Sequence, residues 1–512
     1  MSPVKETMYR FDYLGEYNNL LSKVAAEFGD SFAAIASPTL SKQETVTYLY
    51  QSINRATALG LKKPSFPWRR LVEFVPRLIL MFARVTYAVL RFRVEALPEG
   101  AVYFRTWLVP RCFSDAPLVD DYFRCLPTDL RASEKIVTGF SVLSFGLLNK
   151  YSRARKNGTQ ILAYGLLNIA DIIKLFLNYI FSAFIRTQKN HHLGDFQVTA
   201  HINKSLLLDY LMLRSFGAYV EKYLCKKLIS HNIKAFVYVF ENQSWEKAVC
   251  ATFRGHDIRL IGYQSSGFSP VFLNFFPTEE DSQRQPMPNI ILTVGNHFQR
   301  YLTEHGHYQI PVESFAALRF SYPKFNDSYV VMPPNTRILH RILYALPVHF
   351  DQYNDTINDL IEVFRKTRIC VDLKLHPLYQ LADIKGAPTL PANFRVMINV
   401  DMDSLRDTYD CVLFHDNSFG IEALLKGVKS YQYSRDGSFA DDRFMYFDLW
   451  QVNYTIKDLV ALRNEIQLGS FEKKFDVIAV SEYINAMYRP YTKDSLRRFR
   501  EILTFSSIEN SL

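Results

Sequence analysis

From Ala101 onward the chain repeats one pattern: a short, almost wholly apolar run, a polar turn, then an amphipathic helix. AVYFRTWLV (101–109), IKAFVYVF (233–240), IRLIGYQ (258–264) and NIILTVG (289–295) read as strands, with helices through 245–254 and 297–305. Runs of such continuous apolarity are what a parallel strand buried on both faces requires. A stretch rich in turn formers, 310–323, breaks the series. A second series follows, with strands at 341–348, 368–377, 394–398, 410–416 and 429–433 and helices at 355–365 and after 418. Two successive βα series predict an α/β chain of two Rossmann-like, doubly wound lobes with a cleft between them. The expected boundaries are 1–320 for the first lobe, including a polar, mostly helical extension over 1–60, and 321–490 for the second. A last helix, 491–512, would pack back on the first lobe.

The basic balance then asks for a partner. Lys+Arg number 60 against 51 Asp+Glu, a net charge of +9, with 40 Phe and 31 Tyr. Nucleic acid, an anionic membrane or a phosphorylated substrate would suit such a surface. No nucleic-acid module is present and the excess is spread along the chain, which excludes the first. Residues 66–93 carry six Arg and one Glu. Arg70, Arg77, Arg84 and Arg91, seven apart, make one stripe of a helix beside an apolar face of Leu71, Phe74, Val75, Leu78, Met81, Phe82, Val85 and Val89. Two readings fit: a helix lying on an anionic leaflet, or one packed on the core with solvated arginines. Pro76 would start or kink it. Residues 161–185 are long enough to span a bilayer, but Asp171 and Lys174 near the middle cost about 2.5–3.5 kcal/mol each there. A buried helix, or one at an interface, is expected instead. The six cysteines form no CxxC pair and Met1–Tyr13 resembles no secretory signal, so a reducing, cytoplasmic setting is expected.

Chemistry in such sheets sits on the strand-to-helix turns. The turn Glu241-Asn242-Gln243-Ser244-Trp245-Glu246 places two carboxylates where a helix begins. Glu241 or Glu246 could serve as general base, or Glu246 could cap the helix while Glu241 pairs with a base. Gln264, Ser265 and Ser266 follow the next strand with groups suited to a sugar or phosphate. In the second series Lys374-Leu375-His376-Pro377 ends one strand, and His415-Asp416-Asn417-Ser418 ends another, with Glu422 one turn on. A helix start capped by Asn417 or Ser418 would hold an anion, Lys374 and His376 would add positive charge, and Glu422 would accept from ribose hydroxyls. An ordinary capped helix beside a buried histidine is the alternative. Arg319, at the expected lobe junction, would reach a leaving phosphate. No GxGxxG, Walker, HExxH, GxSxG or DxD motif occurs at a strand end, so no metal site is expected.

Together these residues resemble the two-lobed GT-B glycosyltransferases that build bacterial surface polysaccharides. Lys374–Pro377 resembles the His-Pro motif of sialyltransferases, which contacts the cytidine monophosphate of the donor. Asn417-Ser418, with Glu422 and Gly427, resembles their serine motif at the donor phosphate. The Glu241–Glu246 turn with Gly262-Tyr263-Gln264 resembles the acceptor lobe of surface-carbohydrate transferases, including those moving 3-deoxy-manno-octulosonic acid. The likeness spans about 230–430. It departs at Glu241-Asn242-Gln243, where the family has two acids and a glycine, and at Ser418-Phe419, where it has two hydroxyls. The resemblance implies metal-independent transfer of a CMP-activated acidic sugar to a surface glycan or lipid-linked acceptor, the nucleotide-sugar being a co-substrate and no cofactor being needed. It implies a location at the inner face of the cytoplasmic membrane, with 66–93 on anionic lipid. A UDP-sugar-dependent transferase, a nucleotide-sugar 2-epimerase and a non-catalytic glycan-binding subunit are the alternatives.

Overall fold

The computed structural model describes residues 12–43, 64–113, 118–142, 145–154, 159–268, 272–319, 329–346, 353–375, 388–397, 400–414, 419–433, 456–471 and 476–504. Their strands are β1 Val102–Leu108, β2 Ile136–Val142, β3 Gln160–Leu162, β4 His192–Leu193, β5 Phe196–Gln197, β6 Ala235–Val239, β7 Arg259–Gln264, β8 Ile290–Thr293, β9 Val312–Ser314, β10 Arg341–Ala345, β11 Cys370–Lys374, β12 Phe394–Met397, β13 Cys411–Phe414 and β14 Lys429–Gln432. The main helices are α1 Asp12–Ala26, α2 Trp68–Arg91, α3 Ile169–Ser182, α4 Thr199–Leu211, α5 Phe216–Ser230, α6 Ser244–Phe253, α7 Glu279–Arg284, α8 Asn296–His305, α9 Tyr353–Phe364, α10 Phe419–Leu425, α11 Ile456–Leu468, α12 Val477–Met487 and α13 Lys493–Thr504.

The chain divides into two units. Met1–Ser265, Pro270–Asp327 and Arg489–Leu512 form the first, and Ser266–Ser269 with Ser328–Tyr488 the second. The first holds a seven-stranded sheet in the order β3-β2-β1-β6-β7-β8-β9, every neighbouring pair parallel. With the β4–β5 hairpin set aside, the chain steps outward from β1 to β3, then returns to lay β6 on the other side of β1. Val102 pairs with Ile136 on one side and Ala235 on the other. The second unit repeats the scheme in five parallel strands, β12-β11-β10-β13-β14. Both sheets therefore reverse direction beside their first strand, the point where doubly wound sheets leave a crevice at the strands' carboxyl ends. The α/β class expected from the alternating pattern is the class observed.

Local chemistry explains the elements. β6 (AFVYV) is buried along its whole length, as a central parallel strand must be. β2 carries Gly139 because Tyr103 of β1 lies across it: a Cβ there would fall 1.7 Å from the phenol oxygen. Arg105, in the middle of β1, is buried, its guanidinium 2.6 Å from Glu221 of α5 and stacked over Trp107 and Trp245. In the second unit Ile342, Val371, Leu373 and Leu413 pack against Ile357, Leu360 and Phe364 of α9 and Leu459, Leu462 and Ile466 of α11. α13 belongs to the first unit, where Phe499 meets Phe104 and Phe315 and the Tyr491 hydroxyl donates to Asp129.

Three differences from the sequence reading have physical causes. The stretch 310–323, read as a break, contains β9, a three-residue edge strand too short to show a periodicity. The stretch 161–185 begins with the end of β3 before α3 starts at Ile169 behind a capping box made by Asn168 and Asp171. Of the two roles expected of Pro76, starting the helix is excluded, because α2 begins at Trp68 and Pro76 lies within it. Among the described residues no helix is long and apolar enough to cross a membrane.

Candidate functional site

At the first unit's switch point, β6 runs out at Val239 and Phe240, whose N–H donates to the Tyr263 carbonyl (2.7 Å). The chain then turns sharply, with Asn242 at φ +51°, a left-handed conformation that Asn tolerates better than most residues. The Asn242 amide donates to the Asn274 carbonyl (2.7 Å) and the Asn274 amide returns a bond to the Glu241 carbonyl. α6 starts at Ser244, and its third residue, Glu246, reaches back over the turn. The Glu246 carboxylate accepts from the backbone N–H of Glu241 (3.0 and 3.1 Å) and of Asn242 (2.9 Å). It is 1% exposed, and burial together with the Glu241 charge pushes its pKa well above the ordinary carboxylate range. Glu246 thus braces the turn from inside, whereas Glu241 is half-buried and accepts from the Gln243 side chain.

Around this turn the fold gathers groups the motif reading did not reach. Asp120 Oδ1 accepts from the Thr106 hydroxyl of β1 (3.1 Å) and from the N–H groups of Tyr122 (2.7 Å) and Phe123 (3.0 Å). Oδ2 has no hydrogen-bond partner among the described residues, and burial raises the Asp120 pKa to about 6. Asp121 lies 3.0 Å from Arg124 and 3.7 Å from Arg319. Tyr122 is held neutral by burial first and by the charge of Glu241 next. Glu241, Tyr122, Asp121 and Arg319 therefore share one electrostatic neighbourhood in the first unit. The signal in the sequence was the acidic pair in VDDYF (119–123), which lies too far beyond β1 to read as a strand-end motif. Gln264 is fully buried, its side-chain oxygen accepting from Val294 N–H (3.2 Å). Ser265 is buried and Ser266 half-buried, the latter grouped with the second unit. A cavity of about 340 Å³ opens beside Arg105, lined by Arg84, Trp107, Ser141, Tyr164 and Glu221 among others.

In the second unit β11 ends at Lys374, which is half-buried with its ammonium 4.9 Å from the centre of the Phe419 ring. Phe419 opens α10, the next described element after β13, so the lysine is held against the element that follows β13, beside the switch point between β10 and β13. Glu422 stands half-buried in the first turn of α10. Gly420 is fixed by packing, since a Cβ would come 2.4 Å from the Phe414 ring. His376, Pro377, Asn417 and Ser418 lie outside the described residues. Of the predicted donor residues, the structure thus places Lys374 and Glu422 in the second unit and Arg319 in the first.

No protein-family model matches the chain, and no curated protein matches it. Among solved structures it is similar to the glycosyltransferase SnogD from Streptomyces nogalater, at 14% identity over 80% of this chain and 100% of that one (TM-score 0.40). It is similar to the UDP-N-acetylglucosamine 2-epimerase from Rickettsia bellii, at 12% identity over 79% and 96% (TM-score 0.46). It is also similar to Arabidopsis thaliana UGT89C1 complexed with quercetin, at 9% identity over 78% and 99% (TM-score 0.45). Likenesses this distant assign nothing to the chain; its fold class rests on its own strand orders.

Proposed function

We propose that the chain is a GT-B glycosyltransferase that moves a sugar, CMP-activated and acidic, from its nucleotide to a glycan or lipid-linked acceptor. The observation that supports this most is the position of Lys374: a cation fixed at the carboxyl edge of a doubly wound sheet, beside the strand-order reversal, where such sheets take anionic ligands. On this reading Lys374 and His376 bind the donor phosphate, Asn417 and Ser418 donate hydrogen bonds to it, Pro377 shapes the loop and Glu422 accepts from the ribose. The first unit takes the acceptor. Glu241 removes the proton of the attacking hydroxyl, whose oxygen bonds to the anomeric carbon as the bond to the phosphate oxygen breaks. Glu246 holds the Glu241 turn in place through its bonds to the backbone. Arg319 neutralises charge that develops on the departing nucleotide, and Gln264, Ser265 and Ser266 shape the surroundings of the acceptor. These cations do electrostatic work for which a metal ion is not required, so turnover should survive a chelator. The protein would work as a peripheral protein at the inner face of the cytoplasmic membrane, with residues 66–93 toward anionic lipid.

The test is a thermal-shift panel of CMP, CDP, UDP and GDP, since a ligand bound only by the folded state raises the melting temperature. Stabilisation by CMP, abolished by His376→Ala, is expected. Stabilisation by UDP alone would replace the cytidine donor with a uridine one. Release of free epimerised UDP-sugar without an acceptor would make the chain an epimerase. Tight glycan binding with no turnover of any nucleotide-sugar would make it a binding subunit.

A further inference from the structure

Large exposed apolar side chains are concentrated in this molecule. Of twenty among the described residues, sixteen fall in two segments: Phe66, Trp68, Leu71, Val72, Val75, Ile79, Leu80, Phe82, Tyr87 and Leu90 in and just before α2, and Ile169, Ile173, Leu177, Ile180, Phe181 and Phe184 in and just after α3. Soluble surfaces rarely carry so much contiguous apolar area without a partner. α3 is apolar on two sides. Ile172, Leu175, Phe176 and Tyr179 are buried, while Ile169, Ile173, Leu177, Ile180 and Phe181, also at helical spacing, are exposed. The core satisfies the first stripe and nothing among the described residues covers the second. The two helices touch, with Phe82 of α2 edge-to-face on Phe176 of α3 and ring centres 4.9 Å apart.

Charge divides unequally between them. α2 holds Arg69, Arg70, Arg77, Arg84 and Arg91 against the single acid Glu73, so its local net is +4. α3 holds one acid and one base, Asp171 and the exposed Lys174, and the charge of Asp171 is further answered by Lys227 of α5 at 2.8 Å. An apolar face flanked by arginines fits a leaflet with phosphate at its surface and hydrocarbon below it. A second copy would not fit as well, because a two-fold contact sets the same patch against itself and opposes arginine with arginine. Nor would the helices cross the bilayer. Among the described residues no helix is long and apolar enough to do so: α2 has the length but carries five arginines and a glutamate, and the fourteen residues of α3 are about 21 Å long, short of a hydrocarbon core of about 30 Å.

We propose that α2 and α3 form one two-helix platform that docks on an anionic lipid leaflet, α3 inserting apolar side chains and α2 placing its arginines against lipid phosphates. The proposal rests on the membrane reading given above for residues 66–93 and adds α3 to it, as the part that binds lipid regardless of its charge.

The full chain is sedimented with vesicles of phosphatidylcholine alone or with one third phosphatidylglycerol. The wild type should bind both and prefer the anionic vesicles. Ile173→Ser, Leu177→Ser and Phe181→Ser combined should weaken binding to both by at least about tenfold. Arg70→Gln, Arg77→Gln, Arg84→Gln and Arg91→Gln combined should remove the anionic preference, about fivefold for each arginine, and leave the phosphatidylcholine binding. A Trp68→Phe, Phe181→Trp protein reports on α3 without removing apolar surface, and brominated lipid should quench its residue 181. Vesicle binding untouched by the serine changes, with residue 181 unquenched, would overturn the role of α3 and leave that of residues 66–93 standing. A wild type that ignores all vesicles would overturn both. A wild-type dimer that the serine changes turn into a monomer, with no vesicle binding, would assign the face to a second copy and overturn the proposal.

Discussion

Replacing Asp120 by asparagine should make the first unit more stable at neutral and alkaline pH. The side chain is 5% exposed and all three of its hydrogen bonds arrive at Oδ1, from Thr106, Tyr122 and Phe123. An asparagine can present its carbonyl oxygen to the same three donors. Burial, with a smaller push from the Asp121 charge, raises the carboxyl from an ordinary 3.8 to about 6. The sign follows from the proton. The folded protein holds it more tightly than the unfolded chain, so the contribution to stability is fully present below about 3.8 and is lost as the pH rises to about 6. At about 1.4 kcal/mol per pKa unit, the wild type loses about 3 kcal/mol across that window. Asparagine has no proton to lose. The stability of Asp120→Asn relative to wild type should therefore climb by about 3 kcal/mol between about pH 4 and about pH 7 and then level off. Urea unfolding followed by tryptophan emission measures this, because Trp68, Trp107 and Trp245 lie in the first unit and only Trp450 in the second. A difference that stays flat with pH, or a variant less stable than wild type at about pH 8, would refute the reasoning.

Glu221→Ala strands the Arg105 guanidinium in the core between Trp107 and Trp245 and should cost about 3–5 kcal/mol in the same unfolding assay, Glu221→Gln costing less. Gly420→Ala should destabilise the second unit by about 1–3 kcal/mol through the clash with Phe414, and adding Phe414→Leu should restore much of the loss. Glu246→Gln turns an amide N–H toward the backbone N–H groups that the carboxyl oxygens now accept from and should cost about 1–3 kcal/mol. With the Glu241 turn loosened, kcat should fall about tenfold or more while the nucleotide-induced thermal shift stays as in wild type.

The fold was legible where strands are central. β6, β7, β10 and β13 are buried on both faces, and their sequences say so. β2 was not, because Thr138, Gly139 and Ser141 interrupt its apolar run, and Gly139 is there for a ring that arrives from β1. β3 and β9, three residues each at the sheet's edges, are fixed by pairing with neighbours, which no local pattern records. At the site, the two carboxylates of the 241–246 turn were visible as residue types. Their division of labour was not, since it depends on which one folds inward onto backbone N–H groups. Asp120 came into view only through a loop that carries it back to Thr106. On α3, hydropathy shows two apolar stripes but cannot say which of them the protein covers.

The return of Arg489–Leu512 to the first unit bears on how the chain is made. The second unit is nearly continuous in sequence, apart from Ser266–Ser269, and can close as soon as residue 488 has emerged from the ribosome. The first unit cannot. Until α13 is synthesised, Phe104 and Phe315 lack the Phe499 ring, and Val294 lacks the bond its carbonyl accepts from the Arg489 N–H. The N-terminal part of the chain, made first, is therefore finished last and passes much of translation with apolar surface open. A chain ending at Tyr488 should yield a folded second unit beside a first unit sensitive to protease, and supplying α13 as a separate peptide should restore its protection.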